Sequence, residues 1–164
     1  MWPMGTGILY LSPAMLDAIR PAHAGWLGVQ DAWNFREYEL KFLDTAERFE
    51  GGTLNWMGLS LARQRMDRFL ELGRDAIWAR VRHLADCLVD GLQMPGVEIF
   101  TPLEPEARSG IVSIRVDGPE AVLQHLTDAG VVISLREGIL RFSPHCGNTY
   151  EDIDGALEAL KGAL

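Results

Sequence analysis

With 164 residues, 48% of them hydrophobic and 23% charged, the chain has the composition of a globular protein with a sizeable core, which excludes disorder as the default. A formal net charge of −8, with both signs interspersed, argues against a nucleic-acid partner, whose phosphates it would repel on average. No apolar run approaches the roughly 20 residues of a membrane span, and two cysteines, Cys87 and Cys146, make neither a disulfide framework nor a metal pattern, so a cytoplasmic setting without membrane contact is expected.

Taken in chain order, the first part is rich in Gly, Trp and Pro and has little sustained periodicity. Its one strand candidate is Ile8 to Leu11, behind a Gly-x-Gly turn; such a strand needs neighbours for its backbone groups. From about Leu54 the pattern becomes helical, with Leu59, Met66, Phe69 and Leu70 on one stretch. After a break at Gly73, Ile77, Val81, Leu84 and Leu88 recur at spacings of four, three and four. Two strands follow, Val97 to Phe100 and Ile111 to Val116. Gly118-Pro119-Glu120 opens a helix with Pro early and Gly130 as its stop. Val131 to Leu135 and Ile139 to Phe142 are predicted as strands around a tight Glu137-Gly138 turn. Thr149, three residues before Asp152, starts a last helix that buries Ile153, Leu157 and Leu160. The pattern predicts an α+β fold, helices packed on a mostly antiparallel sheet, over residues 59–164, with residues 1–58 as a separate part.

Three segments read as more than scaffold. In Arg48-Phe49-Glu50-Gly51-Gly52-Thr53-Leu54-Asn55, paired glycines free the backbone to approach a ligand, and Thr53 offers a hydroxyl ahead of a helix N-terminus, where a phosphate is favoured; the plainer alternative makes Thr53 or Asn55 a helix cap. In Arg136-Glu137-Gly138-Ile139-Leu140-Arg141-Phe142, the alternation sends Arg141 to the face opposite Leu140 and Phe142. Its planar fork would suit a carboxylate there, or simply meet solvent. Gly25-Trp26 with Trp33, Phe35 and Tyr38 concentrates aromatics that could wall a cofactor pocket or pack against a neighbour. His145-Cys146 is a weak signal for a nucleophile or a metal, since His23, His83 and His125 lie at no useful spacing; no metal site is expected.

Together these segments resemble the class V aminotransferase family of fold-type I pyridoxal-phosphate (PLP) enzymes, which includes cysteine desulfurases and kynureninases. The resemblance runs from Pro3-Met4-Gly5-Thr6-Gly7-Ile8-Leu9-Tyr10 through Gly25-Trp26 and Arg48 to Thr53 with Asn55. It ends on Leu140-Arg141-Phe142-Ser143-Pro144-His145 and Asn148 to Asp154, nearly the whole chain in the family's order. It implies that residues 59–164 are the family's small C-terminal domain and residues 1–58 the tail of its large one. It further implies that Arg141, assisted by Arg136, receives an amino-acid substrate's carboxylate. Gly52 and Thr53 would reach across a homodimer interface to the PLP phosphate, with Trp26 against the cofactor. The family's Schiff-base lysine has no counterpart, because Lys41 and Lys161, the two lysines present, stand in other contexts. The chain is therefore expected to be a truncated piece of an aminotransferase or related lyase, without a catalytic residue of its own. The alternative is a non-catalytic α+β domain that dimerises or binds a partner.

Overall fold

A computed structural model describes residues 3–37 and 39–164. Tyr38, counted among the aromatics above, lies outside them. The chain divides into two compact units between Glu71 and Leu72. The expected change at 58/59 thus falls near the start of a helix and the division in packing near its end.

The first unit holds little regular structure: a short helix α1 (Pro13–Ala18), a 3-10 turn (Ala46–Phe49) and the long helix α2 (Trp56–Leu72). Ser12 caps α1 by accepting from the Met15 N–H at 3.3 Å. Asn55 does the same for α2, its Oδ1 accepting from Gly58 N at 3.0 Å. The predicted strand at Ile8 to Leu11 does not form. Among the described residues no segment pairs with it, and Ile8 and Tyr10 stand 67% and 83% exposed. An isolated strand has nothing to satisfy its ladder, so apolar alternation alone does not make one. Nor does α2 bury its leucine and methionine stripe, since only Gly58 and Ala62 are buried along it.

The second unit carries the core. Gly73, at φ 81, ends α2 and starts helix α3 (Arg74–Gly91), a conformation that an L side chain resists. Strands β1 (Glu98–Ile99) and β2 (Val112–Arg115) follow, then helix α4 (Pro119–Asp128), strands β3 (Ser134–Arg136) and β4 (Ile139–Phe142), and helix α5 (Tyr150–Ala163). The sheet has the order β1-β2-β4-β3 and every pair is antiparallel. One face, with Val112, Ile114, Leu140 and Phe142, packs on Leu84, Leu88 and Leu92 from α3 and its end, Leu126 of α4 and Leu160 of α5. The α+β reading therefore holds.

Element ends differ from the expected ones for local reasons. The strand predicted from Val131 begins at Ser134 because Val131 completes the end of α4. Its N–H donates to Leu126 O at 2.8 Å while that of Gly130, at φ 80, donates to Thr127 O at 2.9 Å, a Schellman pair. The β3–β4 turn is the tight one expected: Glu137 and Gly138 have φ of 50 and 77, the left-handed pair that a two-residue hairpin requires.

Helix α5 starts on a complete capping box, Thr149 Oγ1 accepting from Asp152 N at 3.2 Å and Asp152 Oδ2 from Thr149 N at 2.9 Å. The backbone N–H of Thr149, and then the Asn148 side chain, hold the Asp152 carboxyl below its ordinary pKa. A depressed carboxylate pKa contributes stability above the unfolded value, about 3.9, and loses it as pH falls through the folded value. The gap in urea midpoint between the native protein and Asp152→Asn should therefore be constant near neutrality and shrink below about pH 4. A gap that stays the same down to the acid transition would remove the charge from the cap's contribution.

Candidate functional site

The face of the sheet turned away from the helices is where the second unit places its polar side chains. Register fixes which of them meet. Arg141 lies opposite Ser113 on β2 and Ser134 on β3, so the three share one row on this face. The next row brings Arg115, Ile139 and Arg136 together, because Arg136 pairs with Ile139 and β2 continues its register by one step. A hollow of about 560 Å³ opens over these rows, walled by Phe100, Thr101, Pro102, Ala107 and Ile111 and floored by Ser113, Ile139 and the three arginines.

The wall is held from behind. Thr101 Oγ1 accepts from Ser113 N at 2.7 Å, which continues the sheet's edge through a side chain. Arg108, its side chain only 10% exposed, puts Nη1 2.6 Å from Asp86 Oδ1 on α3, and Arg82 donates to Pro105 O at 3.3 Å. Gly110 packs where a Cβ would come within 2.5 Å of a Val81 methyl. The charged loop between β1 and β2 is thus tied to α3.

The three arginines are not equivalent. Arg115 Nη1 pairs with Glu98 at 2.8 Å, and its guanidinium lies 5.2 Å from the centre of the Phe100 ring. Arg136 and Arg141 have no ion-pair partner among the described residues. Arg141 is half-buried and Arg136 exposed. An unpaired guanidinium between two serine residues on a concave face is suited to an oxyanion. Sequence reasoning had Arg136 and Arg141 but not Ser113, Arg115, Ser134 or the Phe100 wall; the alternation of Ile111 to Val116 gives the face of the first two but not the strand they pair with.

The turn that leaves β4 is built around Asn148. Its Oδ1 accepts from His145 N at 2.8 Å, and its carbonyl accepts from Arg80, whose guanidinium sits 4.5 Å from the Tyr150 ring centre. His145 Nδ1 accepts from Gly147 N at 3.0 Å, so that nitrogen is engaged in the turn, with Cys146 Sγ 3.8 Å away. Among the described residues no group of three or more His, Cys, Asp or Glu is placed to hold a metal ion.

In the first unit, the sequence candidates Trp26 and Gly52 come together. A Cβ on Gly52, at φ 142, would lie 2.5 Å from the Trp26 ring, so only glycine lets the indole seat on the loop. Trp33 meets Trp26 edge-on at 5.1 Å between centroids, and Phe35 meets Trp33 at 6.2 Å. Thr53 next to Gly52 is exposed, and since Asn55 caps α2 the Thr53 hydroxyl is not used as that cap. Lys41 pairs with Glu39 at 2.8 Å and Lys161 with Glu158 at 2.6 Å, so neither lysine is held in the Gly52-Thr53 loop.

The family model for class V aminotransferases matches residues 1–155. The chain belongs to that family. Among curated relatives, an uncharacterised aminotransferase of Bacillus subtilis, YcbU, is 22% identical over 95% of this chain and 40% of its own length. A probable cysteine desulfurase of Chlamydia trachomatis is 30% identical over 99% of this chain and 43% of its own. A kynureninase of Stenotrophomonas maltophilia is 28% identical over 88% and 37%. The chain therefore spans about two fifths of the length of the curated relatives it matches. The desulfurase alignment runs over 179 positions, of which at least 15 have no counterpart in these 164 residues. Among solved structures, the cysteine desulfurase CsdA of Escherichia coli superposes with a TM-score of 0.82 at 20% identity, covering 99% of this chain and 43% of that one. A cystine C-S lyase gives 0.77 at 24% identity, covering 92% and 40%. These likenesses establish the fold, that of the fold-type I PLP enzymes, and the family's members are PLP enzymes.

The Gly52–Trp26 contact generates a direct check. Gly52→Ala should lower stability by about 1–3 kcal/mol and displace the indole. Gly51→Ala should do neither, because nothing lies within 4 Å of a Cβ built there. Near-ultraviolet circular dichroism, with Trp26→Phe to assign the band, would read the displacement; an unchanged spectrum for Gly52→Ala would refute the seating.

Proposed function

We propose that this chain supplies the substrate-carboxylate arginine and the cofactor-phosphate loop of a PLP-dependent aminotransferase or kynureninase-like lyase acting in the cytoplasm. The observation that carries the reading is the pair of unpaired arginines over the sheet's open face, in a chain of this family. Arg141 binds the substrate α-carboxylate through its two parallel N–H donors, with Arg136 beside it. The serines of the neighbouring strands supply hydroxyls at the same level, and Phe100 stands at the edge of the hollow.

The residues present fit part of a PLP site. Gly52 and Thr53 offer a glycine backbone and an uncommitted hydroxyl ahead of α2, which suits a phosphate, and Trp26 offers an aromatic surface beside them. The phosphate they hold is that of the partner subunit in a homodimer. Exposed Trp33, Phe35, Trp56 and Met57 in this unit are surface that association would cover, which favours a dimer over an isolated monomer. When bound, PLP supplies the electron withdrawal that weakens a bond at the substrate's α-carbon. The covalent link to it requires a lysine other than Lys41 and Lys161, whose surroundings do not fit that role.

Within the family, one observation speaks against sulfur transfer from a mobile cysteine: the β3–β4 connection is a two-residue turn without cysteine. A purely structural role for the domain leaves Arg136 and Arg141 without a purpose and is not favoured.

In a form of the protein that includes a Schiff-base lysine, Arg141→Lys and Arg141→Ala should each lower kcat/KM for amino acids on the order of a hundredfold while PLP absorbance stays intact. The size follows from roughly 1.5–3 kcal/mol per charge-assisted hydrogen bond. Near-normal kcat/KM in both would return Arg141 to a solvated strand position, and loss of PLP instead would assign it to the wrong ligand.

A further inference from the structure

Resting on the reading of Arg141 as the α-carboxylate receiver, we infer that Arg136 is a specificity-determining residue and that the substrate is an amino acid with a second acidic group on a short aliphatic side chain. The hollow holds more positive charge than one carboxylate needs. Its lining includes Arg115, Arg136, Arg141 and Glu137. Arg115 is neutralised by Glu98 at 2.8 Å, whereas Glu137 makes no ion pair with either remaining arginine. Two guanidiniums without an ion-pair partner are one more than a single carboxylate engages, so a ligand with a second acidic group can occupy both.

Geometry places the two free guanidiniums for one ligand. Arg136 pairs with Ile139, two residues before Arg141 on the adjacent strand, so the two arginines are diagonal neighbours on one face, roughly 7–8 Å apart at the backbone. Two flexible guanidiniums at that spacing can take the two ends of a short dicarboxylate, and between them Ile139, with Phe100 and Ile111 on the wall, offers apolar surface for its methylenes. Like charges at this distance repel until an anion separates them, so the pair favours a ligand that engages both.

The test is isothermal titration of the 164-residue protein with glutarate and butyrate at constant ionic strength, in the native protein and in Arg136→Gln and Arg141→Gln, each verified as folded by far-ultraviolet circular dichroism. Glutarate should bind roughly fivefold more tightly than butyrate, a modest factor because Arg136 is exposed. Arg136→Gln should remove that advantage, weakening glutarate by more than it weakens butyrate; Arg141→Gln should weaken both ligands. Equal affinities in the native protein, or an advantage that survives Arg136→Gln, would overturn the second-acid inference while an effect of Arg141→Gln on butyrate kept the α-carboxylate reading. Butyrate binding that ignores Arg141→Gln, or no binding of either ligand, would overturn both.

Discussion

The register of the β3–β4 hairpin is the constraint on which the site depends. Glu137 and Gly138 both adopt left-handed φ, so the connection is two residues long and Ser134 is set opposite Arg141. A slip of one residue would turn Arg141 into the core and Leu140 out of it. That alternative is blocked on the other edge of β4, where Val112, Ser113 and Ile114 pair with Phe142, Arg141 and Leu140. The fully buried Leu140, packed among helix leucines, therefore does as much to position the guanidinium as any polar contact.

Around that constraint the second unit is built in agreement with itself. The Schellman end of α4, the capping box of α5 and the hairpin each satisfy backbone groups at a point where an element must stop or start. The ties from Arg108 and Arg82 to the loop after β1 add a wall to an otherwise flat sheet face. The first unit follows another logic. Its order comes from caps, a 3-10 turn, one isolated bridge between Val29 and Phe42, and the seating of Trp26 on Gly52, while many of its large apolar side chains face outward. Burial does not by itself explain why such residues are there; a ligand and a partner subunit would.

How far this was legible in the sequence differs between the units. Where the apolar period was strong, as in Leu84, Leu88, Ile153 and Leu157, the helices and their buried faces followed from it. Turn chemistry at Gly73, Gly130 and Glu137-Gly138 located the breaks. Ile8 to Leu11 misled because a strand is a property of a pair, and the sequence of one member says nothing of its partner. Val131 misled because the helix end used its N–H before the sheet could. Alternation gave the face that Arg141 takes on β4, but Ser113 and Arg115 come beside it only through pairing across β2 and β4, which local pattern does not contain.

The claim that most needs a direct measurement is that Arg141 is a receiver of carboxylate and not a solvated strand arginine. Side-chain NMR of the arginine Nε–H groups can see this in the protein itself, during titration with a simple monocarboxylate. The Arg141 resonance should shift and its exchange with water should slow, because two parallel hydrogen bonds hinder rotation of the fork, while Arg115, already paired with Glu98, stays where it was. A titration in which Arg141 is silent and only exposed arginines of α2 and α3 respond would contradict the account.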